Sequence, residues 1–411
     1  MRKNELIRLC GRYAYFDLAF LRQISGERTD TLHLNIKRWL GDGTLIPLRR
    51  GMYSLAEHLR KADLFLPKLA NDLYPPSYLT DAWALSFYGL IPDVAREYTS
   101  ATQRRPQTFT NRFGVFSYRH LAPVRFRGFR TVRTKNDGRG GNGMKEELLA
   151  QALPVTDIVE RTNVARQYLQ RQILASLAGS GAFLSLAFVG GTCLRFLHDL
   201  RRYSEDLDFS VETAEGYEPE KWMESIRLSL VHQGFQPEVS WRTRRAVDFG
   251  WVKLSDLPYE LGVAGTRAQR LSVKIEADRN PPAGAHCQTT ALLSPRLIAI
   301  RHHDLPSLMA GKINAVLSRA YAKGRDWYDL LWYLARRTEP NLALLSHGLA
   351  QTRPVHCSDA RSWREGVAAR LSSLDWNAVV RDVRPFLEDP AELDAFTPDL
   401  IRSMLNAIKD G

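Results

Sequence analysis

Apolar positions along this chain follow two periods, and the change from one to the other marks the elements. Helical spacing comes first: Leu6, Ile7 and Leu9, then Leu18, Phe20, Leu21 and Ile24, then Leu32, Ile36, Trp39 and Leu40 within Thr29 to Leu40. This predicts three helices, each with one apolar stripe. Thr44 to Leu48 and Met52 to Leu55 flank a turn at Arg49-Arg50-Gly51 and predict a hairpin. Two more helices are expected at Leu64 to Leu73 and Ser77 to Leu90, parted by Tyr74-Pro75-Pro76, since proline does not continue a helix but is accepted in its first turn. After Gly89 and Pro92 the pattern turns to strands: Glu97 to Thr102, Gln107 to Thr110, Val115 to His120 and Phe126 to Val132.

The second half repeats the alternation of textures. Met144 to Ala178 is helical with a break at Pro154, and Leu169, Ile173, Leu174 and Leu177 form its stripe. A short apolar strand, Ala187 to Val189, leads into Gly190-Gly191, a helix opening near Thr192, and a second strand carrying Asp206 and Asp208. Trp222 to Gly234 reads as an amphipathic helix. Leu271 to Asp278 alternates cleanly, with Leu271, Val273, Ile275 and Ala277 on one face and Ser272, Lys274, Glu276 and Asp278 on the other. Helices are expected at Pro306 to Ala322, capped by Ser307, and at Gly324 to Leu334. From Pro340 onward the chain is helical, interrupted by Pro354, Pro385, Pro390 and Pro398, with Trp363, Leu371, Leu374 and Trp376 as core and no evident chemistry.

A chain of 411 residues implies two or three domains, and Lys135 to Gly143, KNDGRGGNG, is its best linker. Charge divides at the same place. Residues 1–150 carry 25 Lys+Arg against 14 Asp+Glu, and the remainder 32 against 31. A basic first third suits DNA, RNA or an acidic protein surface. Three helices and a hairpin with a basic tip follow the winged-helix plan, in which the third helix enters the major groove and the wing meets phosphates. The DNA-binding candidates are Lys37, Arg38, Arg49 and Arg50, with His33 and Asn35 beside them on the helix; a protein-binding or purely structural winged helix is the competing reading. No run of 18 apolar residues and no apolar core near Met1 occur, so a soluble cytoplasmic protein without membrane contact is expected. Cys10, Cys193, Cys287 and Cys357 fit neither a disulfide framework nor a zinc spacing.

Chemistry gathers in residues 188–211, FVGGTCLRFLHDLRRYSEDLDFSV. On a strand, Asp206 and Asp208 share a face roughly 6 to 7 Å apart, a spacing suited to hard divalent cations. Glycines before a helix N-terminus let backbone N–H groups approach a phosphate. Phosphate at one end and metal at the other is the layout of phosphoryl transfer. Farther on, Lys312 and Arg319, seven apart on one expected helix, offer two cations to phosphates, solvated side chains being the plainer alternative. Asp326 and Asp329 share a helical face, and Arg325 can pair with Asp329.

Gly190, Gly191 and Thr192 with Ser204-Glu205-Asp206-Leu207-Asp208-Phe209 resemble the polymerase-beta type of nucleotidyltransferase, most closely the AbiE-type toxins of bacterial toxin–antitoxin systems. SYLTDAWALSFYGLIP and the strands after it, with the winged helix in front, resemble the AbiE-type antitoxin. The resemblance implies an α+β multidomain protein: a winged helix at 1–58, an α/β antitoxin body at 59–134, a linker at 135–143, a polymerase-beta-type nucleotidyltransferase domain at 144–335 and a C-terminal helical region at 336–411. It further implies one or two Mg²⁺ ions on Asp206, Asp208 and Glu276, with Asp278 in reserve, and an NTP substrate held by Gly190, Gly191, Thr192, Ser204, Lys312 and Arg319. Lys312 joins the two aspartates as a catalytic group. Asp326 would orient the substrate or accept its proton, or else anchor the helix, and Asp329 would be structural. The implied acceptor is RNA, with the tRNA 3′ end leading. The implied partners are operator DNA and a toxin–antitoxin contact within or between chains. Two other readings stand beside this one: a DNA-binding regulator with an inactive transferase domain, and nucleotide transfer to a protein.

Overall fold

A computed structural model describes residues 1–87, 97–122, 144–244, 246–293, 297–354, 357 and 359–407. The chain divides into two units, residues 1–150 with 228–235 and residues 151–227 with 236–411.

The first unit begins with α1 (Lys3–Cys10), β1 (Phe16–Asp17), α2 (Leu18–Ser25), α3 (Thr29–Gly41), β2 (Leu45–Arg49) and β3 (Met52–Leu55); the strands form a sheet of order β1-β3-β2. Asp17 caps α2 by accepting the Phe20 N–H at 2.8 Å. The expected stripe of α3 is buried at Leu32, Ile36 and Trp39, but so is Asn35. Its Nδ2 donates to Glu27 at 3.0 Å and its Oδ1 accepts from Arg38. Asn35 therefore does not sit on the exposed face with the DNA-binding candidates, because it falls inside the stripe and finds its partners there. His33, Lys37 and Arg38 are exposed, as is Arg50 at the hairpin turn; Arg49 is partly buried and donates to the Arg50 carbonyl at 3.1 Å.

Next come α4 (Leu66–Leu73), β4 (Ser77–Leu79), α5 (Asp81–Phe87), β5 (Tyr98–Thr102), β6 (Gln107–Asn111) and β7 (Gly114–His120), with a sheet of order β4-β5-β7-β6. Ser77 to Leu79 is strand where helix was expected. It pairs antiparallel with β5, and the Thr102 hydroxyl donates to the Pro76 carbonyl at 2.8 Å; a ladder partner distant in sequence overrides local propensity. Leu48 and Met52 of the hairpin share one buried cluster with Leu69, Leu73, Phe116 and Tyr118. The boundary expected after residue 58 thus runs through a common core. The expected strand Phe126 to Val132, the linker 135–143, and Gly89 and Pro92 lie outside the described residues.

α6 (Met144–Ala152) and α7 (Ile158–Gly179) flank Pro154. The chain continues with β8 (Leu186–Val189), α8 (Gly190–Leu197), β9 (Leu207–Val211), α9 (Pro219–His232), of which residues 228–232 count with the first unit, β10 (Pro237–Arg244), β11 (Val247–Leu254), the single turn α10 (Leu257–Glu260), β12 (Leu271–Asp278), β13 (Cys287–Leu293) and β14 (Leu297–His303). Seven strands form one mixed sheet of order β10-β11-β12-β9-β8-β14-β13, in which β12 with β9 and β14 with β8 are parallel. The alternation of β12 is as expected: Leu271, Val273, Ile275 and Ala277 are buried and the four residues between them partly exposed. Phe188 and Phe209 pack beneath the sheet with ring centroids 5.4 Å apart.

α11 (Leu305–Ser318) and α12 (Gly324–Ala335) follow, then α13 (Leu342–Thr352), α14 (Trp363–Ser372), α15 (Trp376–Val383) and α16 (Pro398–Ala407). The cap of α11 is Asp304, which accepts the Ser307 N–H at 2.9 Å, so Ser307 is not the cap. The helix stops at Ser318, and Arg319 is extended. Trp327 of α12 meets Trp376 of α15 with ring centroids 6.5 Å apart, so the C-terminal helices share the core of the second unit. Among the described residues no helix is long and apolar enough to cross a membrane.

Candidate active site

The turn from β8 into α8 organises the site. Gly190 has φ +76°, and a Cβ there would overlap the Asp208 carboxylate; a Cβ on Gly191 would overlap the Arg202 guanidinium. The glycines let an acid and a cation lie directly against main chain. α8 opens at Gly190, earlier than expected, and no side chain caps its first turn, which leaves N–H groups for an anion. Thr192 differs from expectation. It is buried on the inward side of α8, and its hydroxyl donates to the Asp206 carbonyl. It braces the approach to β9 instead of offering its hydroxyl to a phosphate.

Asp206 precedes β9 and Asp208 lies in it. In the sheet Asp208 stands opposite Glu276 on the parallel neighbour β12. Register partners share a face, one strand spacing of about 4.8 Å apart. Lys274 and Asp278 share that face with Glu276; Lys274 pairs with Glu276, and Asp278 accepts the Asn280 N–H at 2.9 Å. Burial, with Asp206 and Glu276 beside it, pushes Asp208 up to about 7. Burial and the neighbouring Glu276 and Glu205 likewise raise Asp206. Crowded carboxylates of this kind are each hard to ionise until a cation joins them.

A second charge system borders the same cavity, of about 660 Å³. Arg202 grips Asp329 with two bonds of 2.6 Å. Lys312 reaches Asp326 at 2.7 Å and Asp329 at 2.8 Å, and Arg319 reaches Asp326 at 3.0 Å. Burial alone would raise Asp329, but Arg202 and Lys312 outweigh it and hold the carboxyl low. Lys312 and Arg319 do the same for Asp326. An acid held ionised by two cations is a poor proton acceptor, so the surroundings of Asp326 favour its anchoring role. Arg325 pairs with Glu205 at 2.9 Å, not with Asp329, because Asp329 is fully buried against Arg202 and Lys312.

Apart from Thr192, every transferase residue expected from sequence borders this cavity: Gly190, Gly191, Ser204, Asp206, Asp208, Glu276, Lys312, Arg319 and Asp326, with Asp278. Sequence reasoning missed Arg202, Lys274 and Lys323, which border it too. Arg202 sits in an arginine pair between two motifs, where spacing carries no signal. Among the described residues, ligand-type atoms lie within 4.8 Å of one another in two groups, neither of which is the Asp206, Asp208 and Glu276 set: Cys193, His198 and His302, and Glu212, Cys287 and His303. In both, a histidine is already engaged, His302 by Thr290 and the His303 carbonyl, and His303 by Glu212.

A mixed sheet with carboxylates in register on adjacent strands, beside a glycine turn at an uncapped helix start, defines a nucleotidyltransferase-like domain. Residues 172–398, more than half of the chain, match the family described as nucleotidyl transferase AbiEii toxin of type IV toxin–antitoxin systems, and the chain belongs to that family. Similar solved structures include JHP933 from Helicobacter pylori, with 15% identity over 60% of this chain and 91% of that one, at a TM-score of 0.33. A second, described as a nucleotidyltransferase candidate from H. pylori, has 15% identity over 59% of this chain and 96% of that one, at a TM-score of 0.35. No curated protein matches the sequence.

Proposed function

We propose that this protein is a Mg²⁺-dependent nucleotidyltransferase toxin joined to its own antitoxin, and that it transfers a nucleotide from an NTP to RNA, with the tRNA 3′ end as acceptor. The observation that carries the catalytic part is the register of Asp208 with Glu276 beside Asp206, acids that bury like charge while Asp206 and Asp208 have no ion-pair partner among the described residues. An all-oxygen donor set of this kind fits a hard divalent cation. Asp206, Asp208 and Glu276 would hold one or two Mg²⁺ ions, which supply charge stabilisation at the reacting phosphate.

The chain's own groups do the positioning. N–H groups at the start of α8, with Ser204, receive phosphate oxygens. Arg202, Lys312 and Arg319 keep the α11–α12 side rigid through Asp326 and Asp329. The acceptor hydroxyl attacks the α-phosphorus, the bond to the β-phosphate oxygen breaks, pyrophosphate leaves, and the hydroxyl proton passes to a cavity carboxylate or to solvent.

The first unit would be a winged-helix antitoxin and transcriptional regulator. Its three helices and hairpin, the exposed Lys37, Arg38 and Arg50, and the basic balance of residues 1–150 support that reading. Domain limits of 1–58, 59–134, 144–335 and 336–411 belong to the same proposal, with the first two sharing a core. The test is incubation of the full chain with each labelled NTP, Mg²⁺, total RNA and total protein. Label in tRNA is expected. Label in protein alone would replace the acceptor, and no label in either would leave a DNA-binding regulator.

A further inference from the structure

Six lysine and arginine side chains border the cavity, and five are neutralised in place. Arg202 is bound to Asp329, Lys274 to Glu276, Lys312 to Asp326 and Asp329, Arg319 to Asp326 and Arg325 to Glu205. Lys323 is the exception: its carbonyl accepts the Asp326 N–H at 2.9 Å, but among the described residues its ammonium has no carboxylate within ion-pair distance and no hydrogen-bond partner. It is partly buried just before α12, with burial and the nearby Arg325 and Arg319 pulling its pKa down. Its charge also acts on Asp206 and Asp208, offsetting a small part of the rise that burial and the neighbouring acids cause there.

A half-buried ammonium among other cations is an unfavourable arrangement for a resting protein. It becomes favourable when a polyanion enters, because each desolvated N–H then meets a charged oxygen. The same cavity holds the carboxylates suited to a divalent cation, so the missing charge is that of a metal-bound phosphate chain. We infer that Lys323 is the residue that binds the triphosphate of the incoming nucleotide, and that Lys312, saturated by two carboxylates, is a positioning residue that holds α11 to α12. This inference rests on the transferase reading above and assigns the phosphate contact within it.

The test uses the full chain with inorganic tripolyphosphate and with NTP, each with Mg²⁺, and follows binding, transfer and thermal melting. Lys323→Ala is expected to weaken tripolyphosphate and NTP binding by roughly tenfold or more, raise the KM for NTP and leave the KM for RNA unchanged. Lys323→Arg should restore most of the binding. The unliganded melting temperature of Lys323→Ala should hold or rise, since an unpaired cation beside Arg319 and Arg325 has been removed. A purely structural lysine would lower it. Wild-type-like tripolyphosphate binding in Lys323→Ala, or a defect confined to the KM for RNA, overturns the inference and assigns the ammonium to the RNA backbone or to none. Asp208→Asn separates the two readings. If transfer survives Asp208→Asn while Lys323→Ala still loses tripolyphosphate, the phosphate site stands and the transferase site falls.

Discussion

The two charge systems around the cavity follow opposite rules. On the sheet side, Asp206, Asp208 and Glu276 crowd like charge against a glycine turn, and burial raises the two aspartates. On the α11–α12 side, Arg202, Lys312, Arg319, Asp326 and Asp329 alternate in sign, and every charge has a partner within 3.0 Å. Paired buried charges secure structure; a buried charge with no partner is a cost the fold bears for a ligand. The contrast separates the groups that hold the site together from those that wait for something to bind.

The largest effect expected is on chemistry. Asp208→Ala should reduce nucleotide transfer by at least about 10³-fold, the scale of losing a principal electrostatic contributor, while the melting temperature holds or rises because like-charge crowding is relieved. Loss of folding, seen by circular dichroism, would show that the sheet-side acids are structural after all. Next in size is Asp329→Asn, which strips a carboxylate from both Arg202 and Lys312 and should destabilise the second unit by about 3–5 kcal/mol, measured by urea unfolding. A loss under about 1 kcal/mol would mean that the network behaves as a surface pair, and the contrast would lose its second half.

A smaller effect concerns pH. The folded-state pKa of Asp208 lies above its unfolded value, near 7 instead of the usual carboxylate range. The protonated form is therefore favoured by folding. That stability is present below about pH 4, declines as pH rises towards 7 and is gone above it. Without divalent cations the melting temperature should fall across this window, and Asp208→Asn should flatten the fall. Added Mg²⁺ should stabilise the protein most at the upper end, where the carboxyls are ionised; no such pH dependence of the Mg²⁺ effect would count against a metal on these acids. The smallest effect is expected of Thr192→Val, which removes one buried hydroxyl bond to the Asp206 carbonyl and should cost about 1 kcal/mol with NTP affinity unchanged. A large rise in the KM for NTP would return Thr192 to the phosphate.

Much of the site was legible because its residues announce themselves locally. The alternation of Leu271 to Asp278 showed which residues share the face of Glu276, and Gly190-Gly191 with Asp206 and Asp208 marked the turn and its acids within a single short segment. Elements whose partners lie far along the chain were less legible. Ser77 to Leu79 looked helical until β5 supplied its ladder, and the strands at 237–254 and 287–303 went unread, since pairing rather than composition makes them strands. The winged-helix plan gives Asn35 an exposed role and the family resemblance gives Thr192 one, but helix rotation and burial turn both inward.

What the sequence determined by itself was periodicity and the identity of the charged groups: which stretches alternate, where glycine must stand, and that acids and cations recur in the second half. Tertiary structure alone decided which charges meet. Arg202 and Asp329 lie 127 residues apart and Lys312 and Asp326 lie 14 apart, yet they form one network. Lys323, only three residues before Asp326, is left out of it. Whether a charge is neutralised depends on distance and burial in space, and local spacing along a chain carries neither.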